Sequence, residues 1–306
     1  MDIELLGPLE VSEQGTSVVP SAGKPRQILA LLALRAGQAV PAETLMEELW
    51  GDDIPRSAAT TLQTYILQLR RRIEAALDGR PGAAAKDILA TRFGGYLLQP
   101  RDGYHDVRHF EQLSAQGATA LEAGDALIAS QLLGRAMRLW RGPVLVDVPA
   151  GRVLALEVLG VVEGHSRVSE LRIEADLRLG RHADLVGELR MLASRHPMHE
   201  RFHAQLMLAH YRCGNAWRAL EVYRQLRDTL DHELGIEPSR ALRQLQRAIL
   251  NNSPRLDALH GFDESDPSVP PVSAPAPRRG PRGPGRAGHR VSAPEPACRP
   301  GSGSSA

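Results

Sequence analysis

Ser57 to Ile73 reads SAATTLQTYILQLRRRI, and its spacing decides how the rest of the chain is organised. At about 100° per residue, Leu62, Ile66, Leu69 and Ile73 gather on one face of a helix. Thr60, Thr64, Leu67, Gln68 and Arg71 point the other way, with Ser57 and Gln63 beside them. Ser57 is placed to cap the first turn, no acidic residue interrupts the stretch, and Arg70, Arg71 and Arg72 close its last turns, where the helix dipole favours cations. One half of this helix belongs to a core. The other half, threonine and glutamine ending in arginine, suits a DNA major groove: Gln bonds base edges, Arg bonds guanine or phosphate, and Thr methyls meet thymine. An ordinary amphipathic helix with a solvated outer face carries the same pattern.

The chain of 306 residues has room for two domains with real cores, and its net charge of +1 gives no global electrostatic footprint. Met1 to Asp102 holds 11 Lys and Arg against 13 Asp and Glu, whereas Arg56 to Arg72 alone carries four arginines and no acid. Any attraction to nucleic acid is therefore local. The two cysteines, Cys213 and Cys298, lie far apart without metal-ligand spacing, which argues against a disulfide framework and fits a reducing compartment. MDIELLGPLEV has acids where a signal peptide wants bases, and no apolar run reaches about 18 residues, so a soluble intracellular protein is expected.

Ile3 to Leu6, Leu9 to Val11 and Ser17 to Val19 are short, partly alternating runs separated by turn residues, which predicts a small antiparallel sheet. Pro25 opens a helix filled by Ile28, Leu29, Leu31, Leu32 and Leu34 and stopped by Gly37. Lys24 and Arg26 stand at its entrance, where basic side chains and free N–H groups suit a phosphate. Pro41 is read as opening a second helix with Leu45, Met46, Leu49 and Trp50 turned inward. The Gly51–Pro55 loop joins it to the opening stretch, making a helix-turn-helix. After a flexible loop at 78–86, two strands around Arg92-Phe93-Gly94-Gly95 form a hairpin, or wing, with Arg92 at its tip.

From Gly103 the strand signals vanish. Helices are expected through Phe110 and Leu121, through Leu132 and Leu139, over Leu154–Leu179, and then over Ala183–Arg195, Glu200–Arg212, Ala216–Leu234 and Ser239–Leu250. The turn glycines Gly180 and Gly214 are 34 residues apart, the period of a tetratricopeptide helix pair. Such hairpins bury small residues such as Ala204, Ala219 and Leu220 and leave a groove for another protein. The tail is too rich in Pro, Gly, Ser and Ala to fold and is expected to be disordered; its arginines, Arg278 to Arg299, outweigh Glu295.

LLGPLEV, KPRQILALLALRAGQAV, LWGDDIPRSAATTLQTYILQLRRRI and ILATRFGGYLL, in that order, resemble the OmpR-type winged helix of the Streptomyces antibiotic regulatory proteins, the SARP activators. LLGRAMRLWRGPVL, ELRIEADLRLGRHADLVGELRMLASRHP, HAQLMLAHYRCG and ALEVYRQLRDTLDHELGIEPSRAL resemble their second half, the bacterial transcriptional activator domain. The implied fold is mainly α with a small β part: a winged helix-turn-helix over 1–102, an all-α tetratricopeptide-like domain over 103–256 and a disordered tail over 257–306. The resemblance assigns Lys24 and Arg26 to phosphates and Thr60, Gln63, Thr64 and Gln68 to the groove. It gives Arg70, Arg71, Thr91 and Arg92 to the backbone or flanking bases. Leu67 and Gln68 stand where the family usually has a small polar or basic residue, and Phe93 where a proline is common. The implied function is activation of an antibiotic biosynthetic cluster in the cytoplasm, on the nucleoid. Copies would self-associate as a dimer or higher on promoter direct repeats of double-stranded DNA and recruit RNA polymerase holoenzyme. No membrane partner or cofactor is implied.

Enzyme readings find little support. No stretch matches the G-x-x-x-x-G-K-[ST] phosphate cradle that larger family members carry. His196, His199 and His203 are the best metal candidate, but no Cys or dedicated carboxylate joins them. Cys213 sits at an apolar helix end, where a buried thiol is expected. From another class, the acidic balance of Met1 to Asp102 supports a helical-repeat adaptor whose winged helix binds protein.

Overall fold

The computed structural model describes residues 1–77, 84–100 and 103–256; the expected tail and most of the expected 78–86 loop lie outside them. Strands β1 (Asp2–Glu4), β2 (Glu10–Glu13) and β3 (Thr16–Ser17) form an antiparallel sheet in that order, with Ile3 opposite Val11. β1 stops at Glu4 and not at the expected Leu6 because the Leu5 and Leu6 N–H groups donate to the Asp106 carboxylate, at 2.7 and 2.8 Å. β3 likewise ends at Ser17, short of the expected Val19.

Helix α1 (Gly23–Leu34) carries Pro25 in its first turn, and Ile28 to Ala33 are all fully buried. A helix apolar all round has to be enclosed. Strand β4 (Ala39–Pro41), which the sequence does not predict, follows Gly37, so Pro41 is its last residue and α2 (Ala42–Trp50) begins after it. Three residues ending in a proline give no period to detect, and only pairing defines them as a strand. Helix α3 (Ala58–Leu77) is followed by the short α4 (Ala85–Ile88), also unexpected, and by β5 (Leu89–Arg92) and β6 (Gly95–Leu98). The wing sheet has three strands in the order β4-β6-β5, with Val40 opposite Tyr96 and Arg92 opposite Gly95.

The helical half comprises α5 (Asp106–Glu122), α6 (Ala126–Met137), α7 (Arg152–Arg178), α8 (His182–Arg195), α9 (Glu200–Arg212), α10 (Ala216–Leu234) and α11 (Arg240–Leu250). Gly124, Gly180 and Gly214 end α5, α7 and α9 with φ of +85°, +80° and +77°. After each, the next N–H bonds a carbonyl five residues back: Asp125 to Ala120, Arg181 to Asp176 and Asn215 to His210. This helix stop needs a left-handed residue, which explains the glycines. The 34-residue spacing thus corresponds to one helix pair, α8 and α9. Ala219 is fully buried, as expected for a small residue between neighbouring helices, while Ala204 and Leu220 are half-buried.

Packing does not follow the boundary at 102. One core runs from Met1 and Ile3 through α1 to α3 and on to Leu133, Leu154 and Val168. The second begins with Ile173 and Leu177 and continues to Leu256. Helix α7 contributes to both, so the division falls inside one continuous helix.

Candidate nucleic-acid interface

Leu62, Ile66, Leu69 and Ile73 of α3 are each 1 % exposed, which fixes the helix's rotation. Thr60, Gln63, Thr64, Gln68 and Arg71 are consequently exposed, and Leu67 is 49 % exposed among them. The Thr64 hydroxyl donates to the Thr60 carbonyl at 3.0 Å, so toward a partner it offers a methyl group and oxygen lone pairs. Gln63 and Gln68 carry amide donors on the same exposed face.

The three successive arginines diverge, as residues 100° apart must. The Arg70 guanidinium donates to the Leu89 carbonyl and to the Thr91 hydroxyl, both at 2.9 Å, and so fastens the wing to the C-terminal half of α3. Arg72 donates to the Val19 carbonyl at 3.2 Å. Arg71 is exposed and, among the described residues, unpaired. Of the three, it is therefore the cation most available to a ligand along this face.

At the wing tip Phe93 is fully exposed with φ +44° and Gly94 has φ +75°, two successive left-handed residues as in the tight turns that match strand twist. Proline, locked near −65°, has no access to the Phe93 conformation, so this turn differs from one built on the family's usual residue. Gly95 is required for another reason: a Cβ there would lie 2.1 Å from the Val40 carbonyl oxygen. Thr91 and Arg92 are exposed on β5, and alternation along the strand puts them on opposite faces: Thr91 toward the Arg70 that holds it, Arg92 toward an opening that it lines with Gln99, Tyr104 and Arg108.

Lys24 and Arg26, expected together at a phosphate, have different surroundings. Lys24 is exposed, its ammonium 4.7 Å from the centre of the Trp50 ring. Arg26 turns to the helical half: Nη1 donates to the Asp147 carboxylate at 3.1 Å and its carbonyl at 3.2 Å, and Nε donates to the Pro20 carbonyl at 3.1 Å. That ion pair occupies the guanidinium expected to meet a phosphate, a long-range contact that leaves no local mark in sequence.

The opposite side of the winged helix is closed by buried carboxylates. Glu48 of α2, 2 % exposed, accepts the Gly151 N–H at 2.7 Å and the Leu154 N–H at 2.8 Å, and so caps α7 from another part of the chain. The Gln27 side-chain amide donates to the same carboxylate at 2.7 Å. Asp106 binds Leu5, Leu6 and Val107 N–H groups; burial raises its pKa, against the pull of those bonds. Burial also lowers the pKa of neighbouring His105, whose Nε2 lies 3.1 Å from the Ala33 carbonyl. Arg35 pairs with Glu157 at 2.5 Å, Arg141 pairs with Glu4 at 3.2 Å and with Glu10, and Arg152 pairs with Glu47. In the sequence these acids read only as solvated charge.

The histidine cluster has other partners: His199 pairs with Glu170 at 3.1 Å and stacks on Phe202. Among the described residues no three His, Cys, Asp or Glu side chains converge to hold a metal. Cys213, expected to be buried, is half-buried at the C-terminal end of α9. No described helix is long and apolar enough to cross a membrane.

Residues 16–98 match the family model described as the C-terminal domain of transcriptional regulatory proteins, and residues 105–250 match the bacterial transcriptional activator domain. The chain is 49 % identical to the regulatory protein DnrI of Streptomyces peucetius over 276 residues, covering 90 % of this chain and 99 % of DnrI. It is 35 % identical to the transcriptional regulator RedD of Streptomyces coelicolor over 257 residues, covering 84 % of this chain and 72 % of RedD. Among solved structures it is similar to Mycobacterium tuberculosis EmbR in complex with a low-affinity phosphopeptide, with a TM-score of 0.75 and 32 % identity. That match covers 83 % of this chain and 65 % of the EmbR chain. An OmpR-type winged helix followed by a bacterial transcriptional activator domain, with relatives of this closeness, means that the chain belongs to the SARP family of transcriptional regulators.

Proposed function

We propose that this protein is a sequence-specific DNA-binding activator of a secondary-metabolite, antibiotic-type biosynthetic gene cluster, and that it recruits RNA polymerase holoenzyme. The observation that carries this reading is the outward face of α3: Thr60, Gln63, Thr64, Gln68 and Arg71 stand free beside a wing that Arg70 fastens to the same helix. A helix in the major groove, with Arg92 of the wing and Lys24 on the flanking backbone, uses all of these groups. Copies dock side by side on direct repeats about one helical turn apart, each helical half contacting its neighbour, to form a dimer or larger assembly. The protein acts in the cytoplasm, on the nucleoid, and binds its partners without catalysing a reaction.

Footprinting across the protein's own gene neighbourhood tests this directly. Protection of repeated sites spaced by about one turn of DNA is expected. Absence of any protected repeat, with no retention on DNA or heparin resin at moderate salt, would reject DNA binding in favour of an adaptor.

A further inference from the structure

Helices α8, α9 and α10 border an open-sided cavity of about 470 Å³, none of whose lining residues belongs to α3 or the wing. Its floor is α9, where His203 and His210 face the same side one on each side of Leu206. Its lining includes Arg190 from α8 and Arg218 from α10. Among the described residues neither guanidinium has a carboxylate within ion-pair distance; Arg218 instead lies 5.1 Å from the centre of the Trp217 ring. His210 is 2 % exposed, and the charges that act on it are those of Arg190 and Arg218 and, with opposite sign, Glu221. Glu221, exposed, is the one acidic residue of the lining. Leu206, Val222 and Leu226 supply an apolar bed between the charges.

Two uncommitted cations lining the same cavity beside an apolar bed are an unfinished electrostatic arrangement. An inorganic ion satisfies the arginines but leaves the bed wet. A purely apolar ligand covers the bed but buries the cations. A molecule with both an anionic head and an apolar body does both, and the volume suits a small ligand. We propose that this cavity is a binding site for a small amphiphilic carboxylate, held at its head by Arg190 and Arg218 and along its body by Leu206, Val222 and Leu226. Nothing in this site depends on the DNA-binding reading, because none of its residues lies on the winged helix.

The test is calorimetric titration of the full chain, without DNA, with 1-naphthoate, octanoate, inorganic phosphate and a glutamate-rich hexapeptide. Saturable one-to-one binding of naphthoate or octanoate is expected, about tenfold or more tighter than phosphate. The R190Q and R218Q variants, both at surface-reaching side chains, should each weaken it by about tenfold with the unliganded melting temperature unchanged. An A193F variant, which narrows the cavity without touching the charges, should weaken naphthoate more than phosphate. Failure of both organic acids to bind overturns the proposal, as does binding that R190Q and R218Q leave unaltered. Phosphate binding as tightly as the acids would reduce the site to an adventitious ion only, and preference for the hexapeptide would make it a peptide groove.

Discussion

The two sides of the winged helix differ in how their polar groups are satisfied. On the α3 side, Gln68 and Arg71 project into solvent, and Thr64 bonds only its own helix. On the α1 and α2 side, Glu48 and Asp106 are 2 % exposed and bind N–H groups roughly a hundred residues away in sequence. The contrast separates a surface whose polar groups are left open to solvent from one completed by the protein itself. Charged residues alone do not tell the two apart. Their partners do.

The largest expected effect breaks the closed side. Glu48→Ala leaves two N–H groups of the α7 start without their acceptor and takes one of two acceptors from the Gln27 amide, which keeps the residue 48 carbonyl. A loss of about 3–5 kcal/mol is expected, measured by urea unfolding, with the α3 face untouched. Asp106→Ala strands the Leu5, Leu6 and Val107 N–H groups and should cost about 2–4 kcal/mol by the same measurement. If Glu48→Ala unfolds like the parent protein, the seam between the halves is not held by its carboxylate.

On the open side, the signs reverse: stability stays and recognition goes. Replacing Thr64, Gln68 and Arg71 together by alanine should leave the melting temperature within a few degrees, since all three are exposed. In gel shifts it should remove most preference for a repeat-bearing promoter over scrambled DNA, about 2–4 kcal/mol. Equal loss on both DNAs would show that α3 does not read bases. Lys24→Ala and Arg92→Ala should weaken binding to both DNAs alike and flatten the salt slope by about one unit each. Arg26→Ala sharpens the distinction, because its guanidinium serves Asp147; it should reduce stability slightly and leave the salt slope as it is.

The smallest effect concerns pH. His105, His165, His182, His203 and His210 all have pKa values lowered from 6.5, in each case chiefly by burial. The unfolded chain therefore takes up protons first as pH falls below about 6.5, and stability declines from there until the folded values are passed. Asp106 works the other way: its raised value means the folded state binds a proton sooner, which recovers stability at lower pH. Urea midpoints at pH 7.5 and 5.5 should show the lower stability at 5.5.

Periodicity alone makes α3 legible, since the burial of Leu62, Ile66, Leu69 and Ile73 and the exposure of the face opposite are consequences of 3.6 residues per turn. The helices from α5 to α11 are legible for the same reason, and the glycines mark their ends because a left-handed stop has few alternatives. β4 is not, because three residues are a strand only through their partner β6. The role of Arg26 is hidden as well, because Asp147 lies 121 residues away. Arg70 resembles Arg71 as a DNA contact in the sequence, whereas the structure gives it an internal task at the wing. Side chains that join distant elements look in sequence like side chains waiting for a ligand.

Helix α7 runs for 27 residues, about 40 Å, from its seat on Glu48 through the first core and into the second. It works as a strut. Because a single rod is anchored at both ends, a duplex seated on α3 as proposed would also aim the α8 to α11 array, with no joint between to absorb a mismatch. Inserting about five base pairs between two sites would turn one array to the far side of the helix axis, and about ten would bring it back. In the proposed function, promoter geometry, as much as base sequence, then becomes something this molecule measures.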